Sequence, residues 1–227
     1  MRLTWHRHRP TRARALLALA VIMGLAWFYW VTKCAGTPPV AQLVWSRPVK
    51  TAYMIADGNG EIDQRWVPLR RISRNLRSAV IIAEDDQFFK HPGYDWEAIK
   101  DAAELNWRRG RFSHGASTIT MQLARNLYLS SEKSVLRKLK ELLIALKLER
   151  TLSKERILEI YLNVVEWGNG IYGAEAAARH YYDKGAVSLT KDEAAWLAAI
   201  LPKPRYYDRH RGSAYAQDRA ASIASRL

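Results

Sequence analysis

Three short blocks of the chain carry residue types that could do acid–base and phosphate chemistry. The first, at residues 84–93, opens with three acids and contains a histidine. The second, at 115–126, is rich in hydroxyl and amide side chains, and the third, at 137–141, is cationic and ends in a glutamate. Carboxylates can transfer protons, amides and hydroxyls can position a ligand, and cations can bind phosphate. Together the blocks could handle a polar, anionic substrate.

The first block predicts a helix that presents Glu84 on one face. A helix over residues 77–91 would place Glu84, Phe88 and His91 at i, i+4 and i+7. Pro92 would end this helix, because the residue before a proline is disfavoured in the α region. The apolar residues before Glu84 and the acids after it would both raise its pKa towards a value useful for proton transfer. A surface acid at the end of a buried helix is the alternative.

The second block predicts a turn followed by an amphipathic helix. Ser117 or Thr118 would cap the helix, and Thr118, Gln122 and Arg125 would follow one another along one face. A hydroxyl, an amide and a guanidinium could bind an anionic ligand there. An ordinary solvated helix face is equally consistent with the pattern. The apolar stripe of this helix would be Ile119, Leu123 and Leu127.

The third block places cations around a second acid. Lys133, Arg137 and Glu141 are spaced by four residues, with Lys138 and Lys140 beside them. The alternative interpretation is an ordinary ion pair between Arg137 and Glu141, worth a few tenths of a kcal/mol. The opposing core stripe would be Leu136, Leu139, Leu143 and Leu146.

Five blocks occur in order along the chain. They are Glu-Asp-x-x-Phe-Phe-x-His-x-Gly at 84–93, Gly-Ala-Ser-Thr-Ile-Thr-x-Gln-Leu-x-x-Asn at 115–126, Arg-Lys-x-x-Glu at 137–141, Lys-Glu-Arg-Ile-Leu-Glu-Ile-Tyr-Leu-Asn at 154–163 and Arg-His-Tyr-Tyr at 179–182. This pattern resembles the peptidoglycan glycosyltransferase family. More narrowly, it resembles the monofunctional biosynthetic peptidoglycan transglycosylases of Gram-negative bacteria.

The resemblance implies a mainly α fold: a lysozyme-like, two-lobed helical domain with an N-terminal transmembrane helix. It implies an enzyme that polymerises glycan chains from lipid II for the bacterial cell wall. The transfer would invert the anomeric carbon, form β-1,4 links and release undecaprenyl diphosphate. No transpeptidase domain is expected. A membrane-anchored lytic enzyme that cleaves glycan is one alternative, and a non-enzymatic module that binds anionic polymer is another.

The resemblance also implies roles for single residues. Glu84 would be the general base on the acceptor hydroxyl, and Glu141 would lie beside the donor diphosphate. The residues expected to bind or position substrate are Asp85, Phe88, His91, Ser117, Thr118, Gln122, Arg125, Asn126, Lys133, Arg137, Lys138 and Lys140. Met121 departs from the glutamine usual in the family, and Arg125 replaces a common lysine, which keeps the charge but changes its shape. Activity is expected to survive both departures.

A divalent cation, Mg²⁺ or Mn²⁺, at the diphosphate is one expectation for a cofactor, and no organic cofactor is expected. The expected partners are lipid II, the growing glycan strand and the inner membrane. Other cell-wall synthesis or division proteins are candidate partners as well. No nucleic-acid partner is expected from the resemblance.

The chain of 227 residues has a net charge of +14 at pH 7 and one cysteine, which excludes an internal disulfide. Residues 1–33 contribute six cations and no acid, so the rest keeps a net charge of +8. By itself this balance predicts an anionic partner, either nucleic acid or a phosphate-bearing lipid surface. The uncharged residues 15–32 would span about 27 Å as a helix, close to the thickness of a bilayer core.

Arginines before this apolar segment predict a cytoplasmic N-terminus and a periplasmic catalytic domain on a single-pass inner-membrane protein. The expected segments are a basic segment (1–14), a transmembrane anchor (15–32), a spacer with a hairpin (33–72), the glycosyltransferase domain (73–208) and a polar, poorly packed tail (209–227). The hairpin would pair strands at 52–56 and 62–67. A helix at 95–112 with tryptophans beside arginines is either a core helix or, as the resemblance favours, a flap that reaches towards the bilayer.

Overall fold

The computed structural model describes residues 14, 16–25, 40–58, 61–110, 117–129 and 134–227. Contacts divide the chain into two units, Met1–Pro39 and Val40–Leu227. In the first unit, residues 16–25 form an exposed helix, α1. Within the described residues, no helix has both the length and the apolar character needed to cross a membrane. Residues 15 and 26–32 of the expected anchor lie outside the described residues, so the anchor stays a prediction.

The second unit is mainly helical, which confirms this part of the expected fold. Its α-helices are α2 (Ala52–Asp57), α3 (Arg74–Glu84), α4 (Trp96–Arg109), α5 (Ile119–Tyr128), α6 (Val135–Thr151), α7 (Lys154–Val164), α8 (Ala174–Tyr182), α9 (Lys191–Ile200), α10 (Pro204–Arg209) and α11 (Ala214–Ala224). Short 3₁₀-helices lie at Val40–Val44, Leu69–Arg71 and Ala186–Ser188. The two-lobed, lysozyme-like arrangement stays a prediction.

Several helices begin where the sequence signals place them. The hydroxyl of Thr118 caps α5 by accepting from the Met121 N–H, and Ser153 caps α7 in the same way. Thr190 and Glu193 form the capping box that opens α9. Such a cap contributes about 1 kcal/mol, because it satisfies a backbone N–H that has no partner inside the helix.

Helix α9 lies at the centre of one packing group, against α3 and α11. Its buried residues are mostly alanines: Ala194, Ala195, Ala198 and Ala199. Small side chains allow a close approach, since the distance between helix axes depends on the side chains at the contact. The C-terminal helix α11 therefore packs near α3, the helix that ends at Glu84.

A second packing group joins α5 to α2, α6 and α7. The predicted stripe of α5 is confirmed, since Ile119, Leu123 and Leu127 are buried. The neighbouring face, with Gln122 and Arg125, is half-buried. Helix α5 therefore carries its polar face at the edge of the core.

The predicted hairpin is wrong. Residues 52–57 form helix α2 because Thr51 caps its first turn and Gly58, with φ of 58°, ends it. Met54 is 2% exposed, so this helix contributes to the core. The strand that the structure describes in this region, β1 (Asp63–Gln64), pairs instead with a distant strand.

Strand β1 belongs to a small three-stranded sheet with the order β1-β3-β2. Strand β3 (Ile171–Tyr172) pairs in parallel with β1 and antiparallel with β2 (Glu166–Gly168). Gly173 follows β3 with φ of 84°, and a Cβ there would lie 2.7 Å from the Asn163 carbonyl oxygen. Only glycine fits this turn without strain.

The predicted helix over residues 77–91 ends early, at Glu84. Asp85 leaves the helix with φ of −165° and ψ of 73°, because its carboxylate accepts a hydrogen bond from the Ile119 N–H at 2.9 Å. Residues 86–90 form turns, and Phe88 is fully buried. Glu84, Phe88 and His91 therefore do not share a helix face, and Pro92 does not end α3.

The predicted core stripe of α6 is also wrong. Leu136 is 57% exposed, and the buried positions are Glu141, Ile144, Ala145 and Leu148. These four follow one another at i, i+3, i+4 and i+7, which is one face of a helix. The buried face of α6 thus begins with a carboxylate.

Helix α4 presents tryptophans to solvent. Trp96 is 58% exposed and Trp107 is 88% exposed. Asp95 caps the helix, and Gly110 ends it with φ of 57°. The exposure of these two tryptophans contradicts the interpretation of α4 as a core helix at their positions. The flap interpretation stays a prediction.

The expectation of a poorly packed tail is wrong. Residues 214–224 form α11, whose Ala216, Ala220 and Ile223 are buried. Their spacing at i, i+4 and i+7 is typical of a helix packed on one face. The polar residues between them made the segment resemble an unpacked tail. The proposed domain boundaries themselves stay a prediction.

Candidate active site

Glu84 is the last residue of α3, and side chains from two other helices hold its carboxylate. Gln122 on α5 donates from Nε2 to Oε2 of Glu84 at 2.9 Å. Arg219 on α11 donates from Nη2 to Oε1 at 3.4 Å. Since 12% of the Glu84 side chain is exposed, this acid is nearly buried with one neutral partner and one charged partner.

Tyr161 on α7 fixes the orientation of the Gln122 side-chain amide. The Tyr161 hydroxyl donates to Oε1 of Gln122 at 2.9 Å, so the amide nitrogen points towards Glu84. Burial raises the pKa of Tyr161 well above its usual value, which keeps the hydroxyl proton in place. The relay from Tyr161 through Gln122 therefore delivers a fixed N–H to the carboxylate.

Burial raises the pKa of Glu84, because desolvation disfavours the charged carboxylate. The hydrogen bond from Gln122 and the charges of Arg219 and Arg125 oppose this effect, while Asp85 adds to it. Desolvation is the larger influence. The sequence predicted this direction from the same two causes, apolar surroundings and neighbouring acids.

Asp85 ties the first block to the second. One carboxylate oxygen accepts from the Ile119 N–H at 2.9 Å, and the other lies 2.8 Å from His91 Nε2. The Thr118 hydroxyl also donates to the Gly93 carbonyl at 2.8 Å. Asp85 and Thr118 thus hold the residues after Glu84 against the start of α5.

Phe88 and His91 support the site from behind. His91 Nδ1 accepts from the Gly93 N–H at 3.1 Å, so a neutral ring with its proton on Nε2 satisfies both this contact and the one to Asp85. Lys154 Nζ donates to the His91 carbonyl at 2.8 Å and lies 4.5 Å from the centre of the Phe88 ring. The fourth sequence block therefore anchors the first.

Glu141 is the second buried acid, with 1% of its side chain exposed. Arg137 Nη1 donates to one oxygen at 2.8 Å, and Lys138 Nζ donates to the other at 2.6 Å. Lys138 also donates to the Ser117 hydroxyl at 2.7 Å. The Arg137–Glu141 pair that the alternative interpretation proposed is present. It belongs to a network that also includes Ser117 and Lys138, whose side chain is about half exposed.

Two cavities adjoin these acids. One of about 250 Å³ is acidic and polar, and its lining includes Glu84, Asp85, Asp86, Asp95, Ser117 and Thr118. The other, of about 260 Å³, is lined on one side by Gln122, Arg125, Asn126 and Arg137 and on the other by Tyr53, Val165, Glu166, Leu201, Pro202 and Pro204. We call them the acid cavity and the cation cavity.

Two side chains connect the cavities through hydrogen bonds. Gln122 lines the cation cavity and donates to Glu84, which lines the acid cavity. Ser117 lines the acid cavity and accepts from Lys138, which holds Glu141. The cavities are therefore neighbours in one bonded network.

The structure places the predicted residues in several kinds of position. The acid cavity includes Glu84, Asp85, Ser117 and Thr118, and the cation cavity includes Gln122, Arg125, Asn126 and Arg137. Phe88 and His91 support the acid cavity from behind. Glu141 contacts both Arg137, which lines the cation cavity, and Lys138. Lys140 is exposed, and Lys133 lies outside the described residues. The roles of these residues stay predictions.

The sequence analysis missed several residues at the site. Arg219 comes from a segment expected to be a tail and contacts Glu84, and Tyr161 contacts Gln122. Glu166 lines the cation cavity and accepts from Arg205 at 2.6 Å. The spacing of Ala216, Ala220 and Ile223 at i, i+4 and i+7 was the sequence signal that could have identified α11 as a helix packed on one face.

A metal site would need several ligating side chains together. Among the described residues, no group of three or more His, Cys, Asp or Glu side chains is arranged to hold an ion. The cation cavity is lined by the guanidiniums of Arg125 and Arg137, which repel a metal ion. It is also lined by the carboxylate of Glu166 and the amides of Gln122 and Asn126, whose oxygens are of the ligand type that hard cations take. The divalent cation stays a prediction, and no step below depends on one.

Known proteins are similar to this chain over most of its length. A family model described as "Transglycosylase" matches residues 52–227. A "Biosynthetic peptidoglycan transglycosylase" of Bordetella pertussis is 45% identical over 100% of this chain and 95% of its own. The protein of that description from Burkholderia cenocepacia is 48% identical over 96% of this chain and 93% of its own. One from Thiobacillus denitrificans is 45% identical, with 91% and 90% covered.

Proposed function

The chain belongs to the transglycosylase family, and on that premise we propose that it polymerises glycan strands from lipid II. The family itself makes the chain a peptidoglycan glycosyltransferase of cell wall biosynthesis. The proposal adds the substrate, the stereochemistry and the residues that act. It rests on the two acids and the two cavities.

In the proposed reaction, Glu84 accepts the proton of the 4-hydroxyl of the acceptor sugar. The oxygen attacks the anomeric carbon of the growing chain and forms a β-1,4 bond. The bond from that carbon to the diphosphate oxygen breaks, and its electron pair leaves with undecaprenyl diphosphate. Attack opposite the leaving group inverts the carbon. The burial of Glu84, its raised pKa and its place at the acid cavity support this role.

The cation cavity is the proposed position of the donor diphosphate. Arg125 and Arg137 face it, and a guanidinium binds phosphate oxygens in a planar fork. Cations placed where negative charge develops stabilise the transition state. Glu141 would act by holding Arg137 and Lys138 in place, since each of its oxygens is bonded to one of them.

The lytic alternative is not favoured. A hydrolase that cleaves a sugar–sugar bond must protonate the leaving oxygen, whereas a diphosphate leaves as an anion and needs no proton. The guanidiniums of Arg125 and Arg137 are useful for the second kind of leaving group and have no evident task in the first. The relatives named above are described as biosynthetic.

The observation that carries the proposal is the pairing of a nearly buried carboxylate at Glu84 with a neighbouring cavity lined by guanidiniums. The test supplies the detergent-solubilised full chain with lipid II and, separately, with purified sacculi. We expect polymer from lipid II and no fragments from sacculi. Moenomycin, an inhibitor of this family, should abolish the polymer. Release of fragments from sacculi without use of lipid II would contradict the proposal.

We also propose that residues 15–32 anchor the chain in the inner membrane, with the catalytic domain in the periplasm. Cys34 is the one cysteine of the sequence and would follow the anchor on the periplasmic side. A membrane-impermeant maleimide should therefore label it in spheroplasts. Labelling only after lysis would contradict this topology. The growing glycan strand and other wall-synthesis proteins are the proposed partners.

A further inference from the structure

Arg219 reaches the proposed base from a part of the chain beyond the five sequence blocks. Its Nη2 donates to the Ala83 carbonyl at 3.1 Å and to Glu84 Oε1 at 3.4 Å. One guanidinium nitrogen thus bridges the backbone at the end of α3 and the carboxylate of the next residue. With 30% of its side chain exposed, Arg219 is partly shielded from water.

The helix that carries Arg219 is held firmly. Ala216, Ala220 and Ile223 of α11 are buried, and α11 packs against α9 and α3. A second arginine of this segment, Arg226, contacts Asp86 at 2.9 Å with both side chains about half exposed. The segment therefore contacts two of the three acids of the first block, one in a shielded position and one in solvent.

Other groups also face Glu84. Gln122 and Arg125 come from α5, Tyr161 acts from α7 with its hydroxyl on Gln122, and Asp85 is the next residue. Among the residues that the structure describes, Arg219 is the cation with a nitrogen within 4 Å of the carboxylate. Arg125 acts across a longer distance. A charge in direct contact and partly shielded from water is less screened than one at a longer distance.

We propose that Arg219 is a positioning residue for Glu84: it fixes the orientation of the carboxylate and favours its charged, proton-accepting form. The proposal rests on the role of Glu84 as the base. It gives α11 a part in the reaction, because the helix supplies the counter-charge that the buried acid needs in order to ionise. The sequence blocks of the family resemblance contain no such cation beside Glu84.

The test compares three variants of the full chain. Arg219→Met removes the charge but keeps an unbranched apolar stem, and Arg219→Lys keeps the charge. Arg226→Met is the matched control, since it removes a cation from the same segment that contacts Asp86 and not Glu84. The rate of lipid II polymerisation at low substrate concentration is measured across pH for each variant.

We expect Arg219→Met to move the acidic limb of the pH profile to higher pH. Without the cation Glu84 holds its proton more tightly, so less of it is ionised at a given pH. At the pH where the wild type has half its maximal rate, the variant should lose at least about twofold more than at the plateau. Arg219→Lys should restore the limb, and Arg226→Met should leave it unchanged. An equal loss at every pH in Arg219→Met would overturn the proposal.

A second measurement does not depend on activity. Carbon-13 labelling of glutamate carboxyls gives a titration curve for Glu84, assigned by its absence in Glu84→Gln. The Glu84 midpoint should rise in Arg219→Met and not in Arg226→Met; an unchanged midpoint in a folded variant would overturn the inference. If the wild type fails to polymerise lipid II while this midpoint still moves, the proposed function fails and the contact between Arg219 and Glu84 stands.

Discussion

Two buried carboxylates of one chain are held in opposite ways. Glu141 is 1% exposed, and each of its oxygens contacts a cation, at 2.8 Å from Arg137 and 2.6 Å from Lys138. Glu84 is 12% exposed, and its closest partner is the neutral amide of Gln122, with Arg219 at the longer distance of 3.4 Å. Both acids were singled out by the sequence, but their surroundings differ.

The difference separates two tasks. An acid whose oxygens each contact a cation serves to hold those cations in place. An acid that is desolvated with weaker partners accepts a proton more readily, and burial raises the pKa of Glu84 accordingly. The first arrangement suits a diphosphate site and the second suits a base.

The largest expected effect is on the side of Glu84. Glu84→Gln keeps the shape of the side chain but removes the proton acceptor, and general-base catalysis contributes about a hundredfold to ten-thousandfold. Lipid II polymerisation, followed by gel separation of labelled glycan, should fall by about a thousandfold. Glu61→Gln is the control: it changes an exposed acid that lines neither cavity, and its rate should stay within about threefold. Near-normal synthesis by Glu84→Gln would remove Glu84 from the reaction.

The next largest effect is on the side of Glu141. Glu141→Gln leaves Arg137 and Lys138 next to each other without the charge that holds them, so the phosphate-binding groups shift. We expect the rate to fall by about a hundredfold, the size of effect that a misplaced positioning group can have. The variant should also lose on the order of 2 kcal/mol of unfolding free energy, measured with urea, because a buried pair is broken.

Glu175 offers a matched control for that loss. It is 9% exposed, pairs with Arg179 four residues away on α8 and caps Ala186. Glu175→Gln should lower stability by a similar amount and leave polymerisation unchanged. If both variants lose activity in proportion to stability, Glu141 has only the structural role of an ion pair.

A smaller effect is expected from the relay behind Glu84. Tyr161→Phe removes the hydroxyl that orients the Gln122 amide, at a cost of about 1 kcal/mol in stability. We expect about a tenfold loss of polymerisation rate, because the amide can then turn away from the carboxylate. Tyr181→Phe removes a comparable hydrogen bond, 2.8 Å from the Trp167 carbonyl, and should leave the rate unchanged. Equal rates for the two variants would show that the relay has no role.

Sequence reasoning succeeded where the signal was local. The cap at Thr118 depends on a few consecutive residues, and the stripe of α5 depends on helical spacing alone. These interactions are close in the chain. The direction of the Glu84 pKa shift was also predicted from its neighbours in the chain, but the burial that causes it is completed by side chains from the distant helices α5 and α11.

The errors arose where a distant residue decided the outcome. Helix α3 ends at Glu84 because the carboxylate of Asp85 bonds to Ile119, 34 residues away. Arg219 lies 135 residues from Glu84. Glu141 lies on the buried face of α6 because Arg137 and Lys138 compensate its charge. A pattern of hydrophobic residues cannot indicate such a buried acid. Pattern matching assigns the blocks but not which of their side chains meet.

The smallest effect is on stability, and here the two acids should differ in sign. Because the pKa of Glu84 is raised above its ordinary value of 4.5, the folded chain binds this proton more tightly than the unfolded chain. Its contribution to stability is therefore full below about pH 4.5 and is lost as pH rises through the folded pKa.

Glu84→Gln should accordingly raise the melting temperature by a few degrees near pH 8, with the gain vanishing near pH 4. Glu141→Gln should lower the melting temperature at pH 8, because its charge is compensated by Arg137 and Lys138 in the fold. Scanning calorimetry of both variants at the two pH values gives the comparison. A loss of stability in both variants at pH 8 would mean that Glu84, like Glu141, is held mainly as a structural anion. Removing a charge raises the stability of the folded protein only where the fold disfavours that charge.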